Sequence, residues 1–164
     1  TARKRGDERL ALLMETICST GIRVSEVQYI TVESAKKRRA QIFMKGKLRT
    51  ILIPAQLCRK LLRYALKHDI RHGELFLTKY GTRLSRKQIW AQMKALCKYA
   101  GIEKEKVFPH NLRHLFARCF YKISRDISSL ADVLGHSSIE TTRIYLISTE
   151  NEHIKKIARL GLVQ

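Results

Sequence analysis

Apolar residues recur at helical spacing through most of the chain and alternate in only one stretch. In "TARKRGDERLALLMETI" (1–17), a short basic lead gives way to Leu10, Leu13, Met14 and Ile17, one face of a helix. Asp7 is placed to cap that helix and Gly21 to end it. "RVSEVQYI" starts a second short helix. "AQIFMKGKLRTILIP" changes period: Ile42 and Met44 alternate, "KGKLR" turns, and Ile51 and Ile53 alternate before Pro54, which predicts a hairpin. "AQLCRKLLRYALKH" returns to helix with Leu57, Leu61 and Ala65 on one stripe. "ELFLT" is a short strand candidate. Ser85 caps a helix carrying Ile89, Met93, Leu96 and Ala100, with Gly101 at its end. After Pro109 come "HNLRHLFARCFYKI", with Leu112, Phe116, Cys119 and Phe120 as core, then "DISSLADVLG", "SIETTRIYL" and a terminal helix "NEHIKKIARLG". The pattern predicts a mainly α fold with a small antiparallel β-sheet (α+β), about seven or eight helices around that one sheet.

A length of 164 residues suits one domain, residues 1–164, large enough to bury its own core. The charge changes the picture more. Lysine and arginine number 33 against 14 acidic residues, a net +19. Such a surplus attracts polyanions, and nucleic acid fits it better than anionic lipid or a merely solvated surface. No stretch resembles a signal peptide or approaches membrane-spanning length, so a membrane partner is not expected. Cys18, Cys58, Cys97 and Cys119 are widely spaced in helical patterns with no C-x-x-C. They read as buried free thiols of a reducing cytoplasm rather than a disulfide frame or a zinc site.

Four short stretches carry candidate chemistry. In "TGIRVSEV" (20–27), Gly21 makes a tight junction that would direct Arg23 into a cleft, with Glu26 three residues on to brace it. Alone, the pair reads more readily as an ordinary surface ion pair. The turn "MKGKLR" (44–49) offers Lys45 and Lys47, which serve solubility or reach a phosphate as mobile charges. In "HNLRH" (110–114), His110 and Arg113 share one helix face, just inside Pro109. His114 points further round and reads as a histidine hydrogen-bonded within the fold. In "LGHSSIETTRIYL" (134–146), Gly135 ends a helix, His136 follows in the bend, Ser137 or Ser138 caps the next helix, and Tyr145 lies near its end. A tyrosine with a pKa of about 10 is a poor nucleophile unless cations surround it and the anion it attacks. Attack on a phosphodiester needs such cations. Arginines suit the non-bridging oxygens, a histidine can donate to the same group, and an acid must protonate the departing alkoxide. The chain holds these parts without the acidic cluster of a magnesium mechanism, so neither metal nor cofactor is expected.

As a set, "TGIRVSEV", "HNLRH" and "LGHSSIETTRIYL" resemble the three signature boxes of the tyrosine recombinase (phage integrase) catalytic domain, in order and spacing, across essentially the whole chain. The resemblance implies that Arg23 and Arg113 clamp a scissile phosphate. It implies that His110 serves proton transfer, His136 hydrogen-bonds the phosphate and Tyr145 is the nucleophile. The family's lysine lies in the hairpin, at Lys47 or Lys45, with Lys47 the better fit to the strand pattern. The implied function is site-specific recombination of double-stranded DNA through a 3′-phosphotyrosyl intermediate, as for a bacterial phage or mobile element. The implied assembly is a homotetramer, with the terminal helix (Ile154, Ile157, Leu160) docking on a neighbour or packing at home, and accessory DNA-bending or directionality proteins. Members carry N-terminal core-binding and often arm-binding domains, which these residues do not include; the chain corresponds to the C-terminal catalytic domain. A type IB topoisomerase shares the chemistry but typically has a lysine where His110 stands. A non-catalytic DNA-binding module of the same fold would be expected to lose Tyr145 or an arginine. An RNA-binding domain lacks support from any RNP-like strand or G-x-x-G loop.

Overall fold

The computed structural model describes residues 1–44, 47–146 and 158–159; for Met44 and Lys47 it describes the backbone. The terminal segment expected to form the docking helix lies, but for Ala158 and Arg159, outside the described residues.

Seven α-helices and one two-stranded antiparallel sheet make up the described residues. Helix α1 (Glu8–Thr20) starts where the Asp7 carboxylate accepts from the Leu10 N–H (3.0 Å) and stops at Gly21, whose φ of 64° is open to glycine at little cost. A 3-10 turn (Val24–Tyr29) follows, then α2 (Val32–Lys37), capped by Thr31. Strands β1 (Arg39–Met44) and β2 (Lys47–Leu52) pair with Ile42 opposite Arg49. Ala40, Ile42, Ile51 and Ile53 are buried, while Phe43, Leu48 and Leu52 face outward. Helices α3 (Ala55–Lys67), α4 (Arg86–Ala100), α5 (Pro109–Ser124), α6 (Ile127–Leu134) and α7 (Ile139–Arg143) complete the set, and a 3-10 turn, Ile144–Leu146, carries Tyr145. The basic lead is a single 3-10 turn tied down at both ends: Arg3 pairs with Glu15, and the Arg5 guanidinium lies 3.4 Å from the Tyr99 ring centre.

Two hydrophobic clusters result. The larger gathers Leu10, Leu13 and Ile17 of α1 with the inner face of the hairpin and the buried stripes of α3 and α4. The smaller holds Ala117 of α5, Leu130 and Leu134 of α6, and Tyr145. Helix α5 spans both, since Leu112 packs on the first and Phe116 and Phe120 on the second. It also lies along α1, where the Phe116 ring occupies the space a Cβ on Gly21 would need.

Four expectations are corrected. "ELFLT" is not a strand; it makes single bridges, Thr31 to Glu74 and Leu77 to Arg83, because Leu75 and Phe76 are buried side by side as a plug. The hairpin turn is shorter than "KGKLR": Lys47, Leu48 and Arg49 pair as strand with Met44, Phe43 and Ile42. Cys119 is exposed, since the buried stripe of α5 runs through Arg113 and Ala117. Cys18 is half-buried; only Cys58 and Cys97 are buried, and all four thiols are free. Among the described residues His114 has no side-chain hydrogen-bond partner; its ring packs on His110 and Tyr145.

Candidate active site

The seam between the two clusters collects the charged residues. Arg113 reaches it from the first turns of α5, which begin at Pro109, where a missing N–H costs nothing. The side chain is 2% exposed, and both of its terminal nitrogens have partners. One terminal nitrogen donates to the Gly21 carbonyl; the other donates to the Leu134 carbonyl (2.9 Å) and to His136 Nε2 (2.9 Å). These two carbonyls are the C-terminal ends of α1 and α6, freed because both helices stop at a left-handed glycine. Arg113 thus pins the ends of two helices and one histidine in a fixed plane. Burial lowers its pKa and the Tyr145 hydroxyl beside it opposes that shift; a guanidinium stays charged regardless.

His136 sits in the bend that Gly135 opens. An arginine can only donate, so His136 Nε2 accepts, the proton rides on Nδ1, and Nδ1 donates to the buried Thr142 hydroxyl (2.8 Å). Burial first, then the charges of Arg113, Arg23 and Arg49, pull the His136 pKa down to about 4, so the ring is neutral at pH 7. His110 and His114 are also held below the usual histidine value. Burial is the larger cause for both, followed by Arg113 and Arg23 at His110, and by His110, Arg118 and Arg113 at His114.

Tyr145 is 8% exposed and lies in a cage of imidazoles. Its ring centre is 4.3 Å from His114, and 5.6 Å from both His110 and His136, with the His136 plane only 17° from parallel. The cage fixes the ring while leaving its oxygen near Arg113.

Arg23 closes the other side. It is the N-cap of the 3-10 turn, and Glu26 braces it twice, taking the Arg23 backbone N–H (2.7 Å) and its guanidinium (3.0 Å). Glu26 is 1% exposed and has a second partner, Arg49, whose terminal nitrogen lies 2.7 Å from both carboxylate oxygens. Burial alone would raise the Glu26 pKa, but the Arg23 N–H and the Arg49 charge outweigh it and hold the carboxyl below its ordinary value. The other Arg49 terminal nitrogen donates to the Val133 carbonyl (3.0 Å).

The structure therefore brings Arg23, His110, Arg113, His136 and Tyr145 close to one another, with the backbone of Lys47 two residues from Arg49 along β2. Lys45 and the Lys47 side chain lie outside the described residues. Arg49, Thr142 and the cleft position of His114 escaped the sequence reading. For Arg49 the one available sign was an arginine at a position where strand alternation expects an inward side chain. No group of three or more metal-ligating side chains gathers among the described residues. A constellation of guanidinium donors, neutral imidazoles and one phenol suits an anion with charge to disperse, such as a phosphodiester under attack.

The class this defines is a mainly helical domain that holds one tyrosine among guanidinium and imidazole groups. The chain belongs to the phage integrase family, which it matches over residues 1–152. It is 32% identical over 164 residues to tyrosine recombinase XerH of Campylobacter jejuni, covering 96% of this chain and 46% of that protein. Among solved structures it is similar to the XerA recombinase (TM-score 0.78, 24% identity, 98% of this chain and 59% of that one). It is also similar to the XerH site-specific recombinase bound to its difH substrate in a pre-cleavage complex (TM-score 0.72, 26% identity, 90% of this chain and 45% of that one). The chain spans about half the length of the curated relatives it matches. No described helix is long and apolar enough to cross a membrane.

Proposed function

We propose that the chain is the catalytic domain of a tyrosine-type site-specific recombinase, acting on double-stranded DNA for a bacterial phage or other mobile element. The observation that carries this reading is the set of bonds around Arg113: one buried guanidinium tied to the ends of α1 and α6 and to His136, beside Tyr145. Such a group is costly to bury and suits a place where negative charge develops.

In the proposed reaction Tyr145 Oη attacks phosphorus, the P–O5′ bond breaks and a 3′-phosphotyrosyl bond forms. The phenolic proton passes to a neutral base, and His110, held below its ordinary pKa beside the tyrosine, is suited to accept it. Lys47 or Lys45 protonates the departing 5′-oxygen. Arg23 and Arg113 take the non-bridging oxygens, and His136 joins them when its Nε2 turns from acceptor to donor. A 5′-hydroxyl of the partner strand reverses the steps, so the bond energy is kept. The wider proposal is a homotetramer on paired sites, with terminal-helix contacts between protomers, accessory proteins that set direction, and a cytoplasmic location. The family membership, the +19 charge and the DNA-bound XerH likeness support its DNA-binding part.

The test is a nicked suicide duplex carrying the junction of the element that encodes the chain, incubated with EDTA. A covalent protein–DNA band is expected at the same level with and without chelator. Cleavage that needs added magnesium, with no covalent band, would replace this reading with a metal nuclease.

A further inference from the structure

We infer that Arg49 is a positioning residue, one that sets the hairpin lysine against the rest of the cleft. The inference rests on the strand-cleavage reading above and adds a residue to it.

Three observations carry it. First, Arg49 joins three separate parts of the chain. It lies on β2, opposite Ile42; its guanidinium holds Glu26, which in turn holds Arg23; and it donates to Val133, two residues before Gly135 and three before His136. The inner face of the hairpin packs into the larger core through Ala40, Ile42, Ile51 and Ile53, and Arg49 adds the polar ties from that face to Glu26 and to Val133. Second, the side chain is only 12% exposed and faces a carboxylate that is 1% exposed. An arginine placed for solubility or for sliding along DNA would not be sequestered in this way. Third, the bend before His136 is shaped around it: a Cβ built on Gly135 falls inside the Arg49 side chain, against its δ carbon and Nε. Gly135 leaves room for Arg49 as well as ending α6.

The strand that holds Arg49 also holds Lys47, two residues away, and begins just past Lys45. Strand β2, which follows Lys45 in the sequence and begins at Lys47, is tied through the Arg49 guanidinium to Glu26, the brace of Arg23, and to Val133, three residues before His136. Loosening this tie should therefore impair the leaving-group step more than the attack.

The discriminating variant is Arg49→Lys. An ammonium keeps the charge against Glu26, but as a point charge it lacks the planar fork that meets Glu26 and the Val133 carbonyl together. Adduct formation is measured on two nicked duplexes of one sequence, one ordinary and one with sulfur in place of the 5′-bridging oxygen, whose leaving group needs no proton. On the ordinary duplex we expect a loss of about a hundredfold, the range of a misplaced general acid. On the sulfur duplex the loss should shrink to about threefold or less, because the attack machinery remains. Equal losses on both duplexes would overturn the inference and leave Arg49 a structural residue. Where Arg49→Lys melts below the assay temperature, the double variant Glu26→Gln with Arg49→Gln removes both charges while keeping hydrogen-bonding groups, and the same contrast is read from it. The parent separates the two levels of the account. A parent without adduct on either duplex overturns strand cleavage itself, and this inference with it, whereas a parent active on both with equal losses in the variant overturns only the role of Arg49.

Discussion

At the scale of single residues, His136 shows how the fold sets a protonation state. Its pKa falls from an ordinary 6.5 to about 4 because the native ring is buried among Arg113, Arg23 and Arg49. As pH falls, the unfolded chain binds the proton first, so the native state is penalised. Its contribution is complete above about pH 6.5 and is lost as pH drops from there towards about 4. His110 and His114 act in the same direction. We expect the melting temperature to fall through this window, and the gap between parent and His136→Gln to narrow in it; a pH-independent gap would contradict the assigned burial of the ring. Arg113→Lys tests the neighbouring group. Lysine keeps a charge but cannot serve the Gly21 and Leu134 carbonyls and His136 from one plane. DNA binding should stay within a few-fold of the parent while adduct formation drops by about a hundredfold or more. Parent-like cleavage would show that Arg113 only supports the fold.

At the scale of elements, two helix ends do more than stop a helix. Gly21, Gly101 and Gly135 all have positive φ, between 64° and 66°, but only Gly101 has open space where a Cβ would stand. Alanine at Gly101 should therefore cost only the left-handed backbone, about 1–2 kcal/mol. At Gly21 it must also displace the Phe116 ring, and at Gly135 the Arg49 side chain, so both should unfold at clearly lower denaturant than Gly101→Ala. Three equal losses would mean that neither close approach exists. The same elements show what the sequence could and could not reveal. Asp7, Ser85 and the terminal glycines of α1, α4 and α6 were legible because capping is local. Arg23, His110, Arg113, His136 and Tyr145 stood out because their short motifs are specific as a set, though only the fold brings them together. Arg49 was hidden: in "KGKLR" it looks like turn polarity, and its partner Glu26 lies 23 residues away. "ELFLT" misled for a related reason, as consecutive buried residues have no period, and a plug in a loop reads like a short strand. His114 seemed one position off the working face, yet the turn after α7 brings the Tyr145 ring against it.

At the scale of the whole molecule, the net charge of +19 predicts how DNA would be held before any chemistry. If about six phosphates are neutralised, affinity should fall by around a thousandfold between about 50 and 200 mM salt. A nearly flat response would remove the nucleic-acid reading at its base. On the proposed function, the fold presents one phenol, Tyr145, to one phosphate. Tyr145→Phe tests it most directly, since phenylalanine keeps the ring that packs against the three imidazoles and removes only the oxygen. The measurement is the covalent protein–DNA adduct on a nicked suicide duplex, with peptide mapping of the species trapped by the parent. The account predicts a nucleotide remnant on the peptide containing Tyr145, no adduct in Tyr145→Phe, and unchanged adduct in Tyr99→Phe and Tyr121→Phe. An adduct that persists in Tyr145→Phe, or that maps to another tyrosine, would contradict it.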